Sequence, residues 1–90
     1  KVRPALIIQN DEYIESSDLL TVIPISSQIT KQTELDILLR KDPQNRLMAN
    51  SLIKTKQISS FDKRRFIKFV GSVNEDTMEK VKTNIKKFLY

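Results

Sequence analysis

The chain has no cysteine, no histidine and a single glycine among its 90 residues. Without cysteine there is neither a disulfide framework nor a thiolate metal site. Without histidine, an imidazole acid/base pair, a Ser-His-Asp triad, a histidine-ligated zinc and a conventional pH switch are excluded together. One glycine cannot build a glycine-rich phosphate loop. No apolar run approaches the length of a membrane span and no signal peptide is visible, so the expected address is the cytoplasm, with no membrane contact. Four acids, Asp11, Glu12, Glu15 and Asp18, stand close together, but their spacing is not that of an EF-hand loop. No metal site and no cofactor are expected.

What is present is charge, hydroxyls and short apolar runs. Sixteen basic and eleven acidic residues leave a net charge of +5. That excess fits a polyanionic partner, but many small proteins carry as much on a solvated surface. Its distribution is uneven: Lys54, Lys56, Lys63, Arg64, Arg65 and Lys68 crowd one stretch, and the four acids crowd another. Such segregation predicts two differently charged rims.

Ninety residues make one domain with a modest core. Pro4 to Gln9 reads as a strand covered on both faces, because both parities are apolar. Proline is tolerated at its first residue, where a missing N–H costs least. Asn10 to Asp18 is a polar loop. Leu19 to Ile25 is a second strand with both parities apolar, and Pro24 predicts an edge, a bulge or a strand exit near its end. Ser26 to Thr33 is a loop, and Glu34 to Arg40 alternates as a half-exposed strand. Asp42-Pro43-Gln44-Asn45 is a turn signal. Ser51 to Lys54 is a short strand, Ser59 to Arg64 a capped helical turn, and Phe66 to Val70 a last strand stopped by Gly71. From the N-cap Asn74 to Tyr90, a stripe of Met78, Val81, Ile85, Phe88 and Leu89 marks an amphipathic helix, with acids early and lysines late. Phe66, Phe69, Phe88 and Tyr90 are expected in the core or under the helix. The order predicts a mainly β domain with α: a small antiparallel barrel-like sheet with a helix on one end. The strands are too few to close a barrel, which predicts a further strand ahead of Lys1.

With histidine and cysteine gone, arginine, lysine and hydroxyl chemistry remain, and that set suits phosphate. Arg3 enters the first strand and Ser26 leaves the second. If these strands are antiparallel neighbours, both residues stand at one rim. Spacing alone leaves two readings open: a phosphate site, or an arginine in a rim salt bridge beside a loop-capping serine.

Three blocks, in order, resemble the MazF/PemK/Kid toxin family. They are Lys1-Val2-Arg3-Pro4-Ala5-Leu6-Ile7-Ile8-Gln9-Asn10-Asp11, Val22-Ile23-Pro24-Ile25-Ser26, and the stretch from Ser51 to Arg65. The resemblance implies an SH3-like barrel with a C-terminal helix, a homodimer, and an antitoxin partner that occludes the site. It implies sequence-selective, metal-independent cleavage of single-stranded RNA, usually messenger RNA, by attack of the 2′-hydroxyl on the adjacent phosphate. The family's catalytic arginine falls on Arg3 and its catalytic threonine on Ser26, which keeps the hydroxyl. In Kid-like members an arginine and an aspartate stand where this chain has Lys54 and Lys56, so the cation is kept in kind and the acid is not. The family's first strand and glycine-rich loop correspond to residues that precede Lys1.

A guanidinium is a fixed cation, so Arg3 suits stabilisation of a charged transition state better than proton abstraction. Lys54 and Lys56 suit a leaving oxygen or a flanking phosphate. Tyr13 is the best-placed aromatic for stacking a base, and Gln9, Asn10, Ser27, Gln28 and Gln57 are candidates for reading unpaired base edges. The competing expectation is a non-catalytic module of the same fold, either a CcdB-like poison of a protein target or a degenerate copy that binds RNA or antitoxin without cutting.

Overall fold

A computed structural model describes residues 2–90, so that of the first sequence block only Lys1 lies outside the described residues. The architecture is organised around one strand, β2 (Leu19–Ser26), which is apolar on both faces and pairs along both edges. On one edge lies β1 (Ala5–Ile7), antiparallel, with Ala5 opposite Pro24 and Ile7 opposite Val22. The other edge is shared. β4 (Ser51–Ile53) pairs with Ile25 and Ser26, and β5 (Ser59–Asp62) pairs with Leu19 to Val22. β3 (Ile37–Leu39) then lines the far side of β4. All pairings are antiparallel.

Pro24 therefore sits inside the central strand and not at an edge, and the reason is local. Its carbonyl accepts the Lys54 N–H at 3.0 Å, but it has no N–H to return to the Lys54 carbonyl. That carbonyl takes the Gln57 N–H at 2.8 Å instead. The chain there leaves the ladder as a 3-10 turn, Thr55–Gln57, before rejoining β2 as β5. Between Lys54 and Ser59 the partner advances five positions while β2 advances two, from Pro24 to Val22. The proline thus acts as the bulge signal that its position allowed.

One face of this curled sheet carries the core: Leu6, Ile23, Ile25, Leu39 and Ile53, closed by Val81 of α2 (Glu75–Leu89). Met78 and Ile85 flank Val81 on the same helix stripe. Ile23, Ile53 and Val81 are fully buried, each worth about 1.5–3 kcal/mol of hydrophobic stabilisation. Asn74 caps α2, its side chain accepting the Thr77 N–H at 2.8 Å. A second, minor helix, α1 (Asp11–Ile14), occupies the β1–β2 connection and is capped by Asn10.

Three expectations need correction. Ser59–Asp62 is strand, and the capped turn begins one residue later: Asp62 accepts the Arg64 N–H at 2.9 Å and starts Lys63–Arg65. Phe66–Val70 is not a strand, because β5 has already taken the free edge of β2. Phe69, Phe88 and Tyr90 are exposed, Phe69 by 80% and Tyr90 by 98%. α2 reaches the core only over Met78 to Ile85, so its last turn runs past the sheet.

Gly71 marks a close approach and does not stop a strand. A Cβ there would stand 2.7 Å from the Asn45 carbonyl oxygen and closer still to that of Gln44. The 42–46 turn it packs on is built around buried Asn45, whose side chain donates to the Arg40 carbonyl and accepts the Asp42 and Leu47 N–H groups.

Candidate functional site

The β1–β2 ladder continues past β1, since the Ile25 N–H donates to the Pro4 carbonyl at 3.1 Å. Carried one residue further, the same register sets Arg3 opposite Ser26. This is a non-hydrogen-bonded position, where facing Cβ atoms approach to about 5 Å. Arg3 is exposed and Ser26 half-buried. Alternation along the strands puts Arg3, Ser26 and the fully buried Leu52 in one row on the face opposite Ile23 and Ile25, with Ala5, Pro24 and Lys54 in the next row. The two residues that spacing could only suggest as neighbours are brought to one rim.

The Ser26 hydroxyl is oriented locally. Its Oγ accepts the Gln28 N–H at 3.2 Å, which leaves its own O–H free to donate. Ser27 and Gln28 follow on the exposed loop, ahead of a 3-10 turn at Ile29–Lys31. Lys54 is turned inward. Its Nζ sits 2.6 Å from Asp36 Oδ2, with 15% of the Lys54 side chain and 1% of the Asp36 side chain exposed. Burial pushes the Asp36 carboxyl up, but the Lys54 ammonium and the Thr33 donors outweigh it and hold it below the usual carboxylate range. Lys56 and Gln57 stand exposed on the turn after β4, Lys56 3.5 Å from Glu34 across the surface.

Gln9 is half-buried with both side-chain polar atoms engaged, and exposed Asn10 is held by its Oδ1. Gln9 Oε1 accepts the Thr21 N–H and its Nε2 donates to the Tyr13 carbonyl, both at 2.9 Å. Asn10 Oδ1 accepts the Glu12 N–H at 2.9 Å. Together they fix the turn that presents Tyr13, which is 58% exposed. Asp36 and Thr33, central to the geometry, carried no sequence signal, because their role depends on a lysine eighteen positions away.

The two differently charged rims are not separate, because part of the basic stretch, Lys63 and Arg64, stands beside Glu15 and Asp18 of the acidic loop. Lys63 donates to the Ile14 carbonyl and Arg64 forks onto Asp62, so the acidic loop and the basic stretch line one cleft.

Fold and rim together define a class: a small antiparallel half-barrel closed by a C-terminal helix, with Arg3 and Ser26 opposite each other in the continued register at the end of its central strand. Comparison narrows the class to a family. Residues 1–89 match the PemK-like, MazF-like toxins of type II toxin–antitoxin systems, and the chain belongs to that family. Solved structures share the fold at low identity. The Mycobacterium tuberculosis toxin MazF-mt6 superposes with a TM-score of 0.86 at 16% identity, over 98% of this chain and 86% of that one. A mycobacterial endoribonuclease in complex with its cognate antitoxin gives 0.81 at 15%, over 99% and 82%. MazF from a MazE–MazF complex of Deinococcus radiodurans gives 0.79 at 19%, over 97% and 80%. A search of curated proteins by sequence gave no match.

Proposed function

We propose that this chain is a toxin endoribonuclease that cuts single-stranded RNA, messenger RNA above all, with sequence preference and without a metal ion or cofactor. The observation that carries the reading is the pairing register at the Arg3–Ser26 rim. Membership of the family and the fold shared with proteins described as MazF and as an endoribonuclease support it.

In this reading the ribose 2′-oxygen attacks the adjacent phosphorus in line and the bond from phosphorus to the 5′-oxygen breaks. One proton leaves the attacking hydroxyl and one arrives on the leaving oxygen, so the products are a 2′,3′-cyclic phosphate and a 5′-hydroxyl, with no water consumed. Arg3 offsets the charge that grows on the non-bridging oxygens. Ser26 donates its free O–H to one of them and fixes the phosphate in line. Lys56 holds a flanking phosphate. Tyr13 stacks a base, while Ser27, Gln28 and Gln57 read base edges. Gln9 and Asn10 contribute through the turn they hold beneath Tyr13. A homodimer, a cognate antitoxin that covers the rim and a bacterial cytoplasmic setting belong to the same reading. MazF crystallised with MazE, and the endoribonuclease solved with its antitoxin, support the antitoxin partner.

The test is incubation with single-stranded RNA in EDTA, with Arg3→Ala and Ser26→Ala alongside. Each substitution is expected to cut the rate by about a hundredfold or more. Arg3 is exposed, so its variant is expected to stay within about 0.5 kcal/mol of the parent in stability. Intact RNA with folded parent protein overturns the enzymatic reading and leaves the non-catalytic interaction module.

A further inference from the structure

The loop between β2 and β3 begins at the catalytic rim and ends in a turn, Thr33 to Asp36, that is held from three directions. Within the turn, the Asp36 N–H donates to the Thr33 carbonyl at 3.2 Å. The Thr33 N–H and Oγ1 return two bonds to Asp36 Oδ2, at 2.8 and 3.0 Å. From β4, Lys54 Nζ reaches the same oxygen at 2.6 Å. From α2, Asn84 Nδ2 donates to the Leu35 carbonyl at 3.0 Å. Leu35 itself has φ of +68°, a left-handed conformation that a branched side chain adopts only under constraint. A residue held there persists when its surroundings over-determine it, and such residues cluster where geometry serves a function.

The other end of the loop is where the constraint matters. Gln28 N–H orients the Ser26 hydroxyl, and the register that pairs Ile37 with Ile53 continues to Asp36 opposite Lys54, one row from Ser26 and Arg3. A shift of the loop therefore moves the donor that aims Ser26.

We infer that Asp36, clasped by Lys54 and by Thr33 in a turn that Asn84 ties to α2 through the Leu35 carbonyl, is a positioning residue for RNA cleavage: it anchors the far end of the β2–β3 loop so that the near end holds Ser26 in line. The clasp serves the cleavage reading given above and rests on it. Lys54 acts through Asp36 and not by touching RNA. The carboxylate takes all its bonds on Oδ2; among the described residues Oδ1 has no partner, so the charge is fixed by one ion pair and one turn.

The test has two arms on the full chain. Amide hydrogen exchange, read without RNA, follows Ile29 and Lys31, whose N–H groups bond within the loop and touch none of the clasp. Asp36→Asn and, more gently, Asn84→Ala are expected to speed exchange at both amides by about tenfold or more while leaving Ile8, in the β1–β2 ladder, unchanged. Cleavage of a short RNA is expected to lose about tenfold or more in kcat with little change in KM. Lys54→Arg, which keeps the ion pair, is expected to retain activity that Lys54→Met loses. Unchanged exchange at Ile29 and Lys31, or an equal rise across the whole chain in both Asp36→Asn and Asn84→Ala, overturns the clasp. So does activity lost in Lys54→Arg as fully as in Lys54→Met. Exchange judges the clasp even if the parent protein leaves RNA intact, an outcome that overturns the cleavage reading alone.

Discussion

Asp36 gives the clearest acid-side signature at the level of single residues. Burial disfavours its charge, yet Lys54 and Thr33 more than compensate and its folded carboxyl lies below the usual range. A depressed carboxylate stabilises the fold fully above the unfolded value of about 3.9 and loses that contribution as pH falls through the folded value. Urea midpoints measured down the acid limb are therefore expected to fall less steeply in Asp36→Asn than in the parent, the two curves converging once the pH lies below the folded value. Legibility differs residue by residue. That Arg3 and Ser26 meet across β1 and β2 was legible because short connections favour antiparallel neighbours. Gln9 and Lys54 looked like ligand-facing groups because amides and ammonium ions commonly are. Their partners, the Thr21 N–H and the Asp36 carboxylate, are twelve and eighteen residues away and adjacent only once the sheet has formed.

At the level of elements, α2 was plain from its three-to-four repeat, and β2 from a short apolar run rich in β-branched residues and closed by a proline. Ser59–Asp62 and Phe66–Val70 were exchanged, and packing explains why. Ser-Ser-Phe-Asp carries little apolar content, but it meets β2 only on a half-buried edge, where Phe61 opposite Leu20 suffices. Phe66 to Val70 has strand composition but follows the Lys63–Arg65 turn and pairs with no strand. The segment after it is instead pinned by Gly71 and by Ser72, whose N–H donates to the Gln44 carbonyl at 3.1 Å. Because backbone oxygens block the space a methyl group needs, Gly71→Ala is expected to cost about 1–3 kcal/mol, read as a lowered urea midpoint without a change in the slope of the transition.

For the whole molecule, the count of sixteen basic residues overstates the cations free to meet RNA. Within the basic stretch, Lys54 pairs with Asp36, Lys56 with Glu34 and Arg64 with Asp62, while Arg65 lies 4.9 Å over the Phe61 ring. Single-stranded RNA affinity is accordingly expected to fall only gently with salt, and Glu34→Gln, which frees Lys56, to steepen the logarithmic slope by about 0.7. Filter binding at several salt concentrations reads both. The central place of β2 has a kinetic consequence. Every pairing except β3 with β4 waits for it, and its partners come from both sides of the chain, so the barrier to folding is set where Ile23 is buried. Ile23→Val is expected to slow refolding with a φ of about 0.5–0.8, whereas Val81→Ala chiefly speeds unfolding with a φ of about 0–0.3, as stopped-flow chevrons will resolve. The Arg3–Ser26 rim exists only once β1 has docked on β2. On the proposed reading, the lag before a new chain can cut RNA is thus governed by how fast one strand recruits its neighbours.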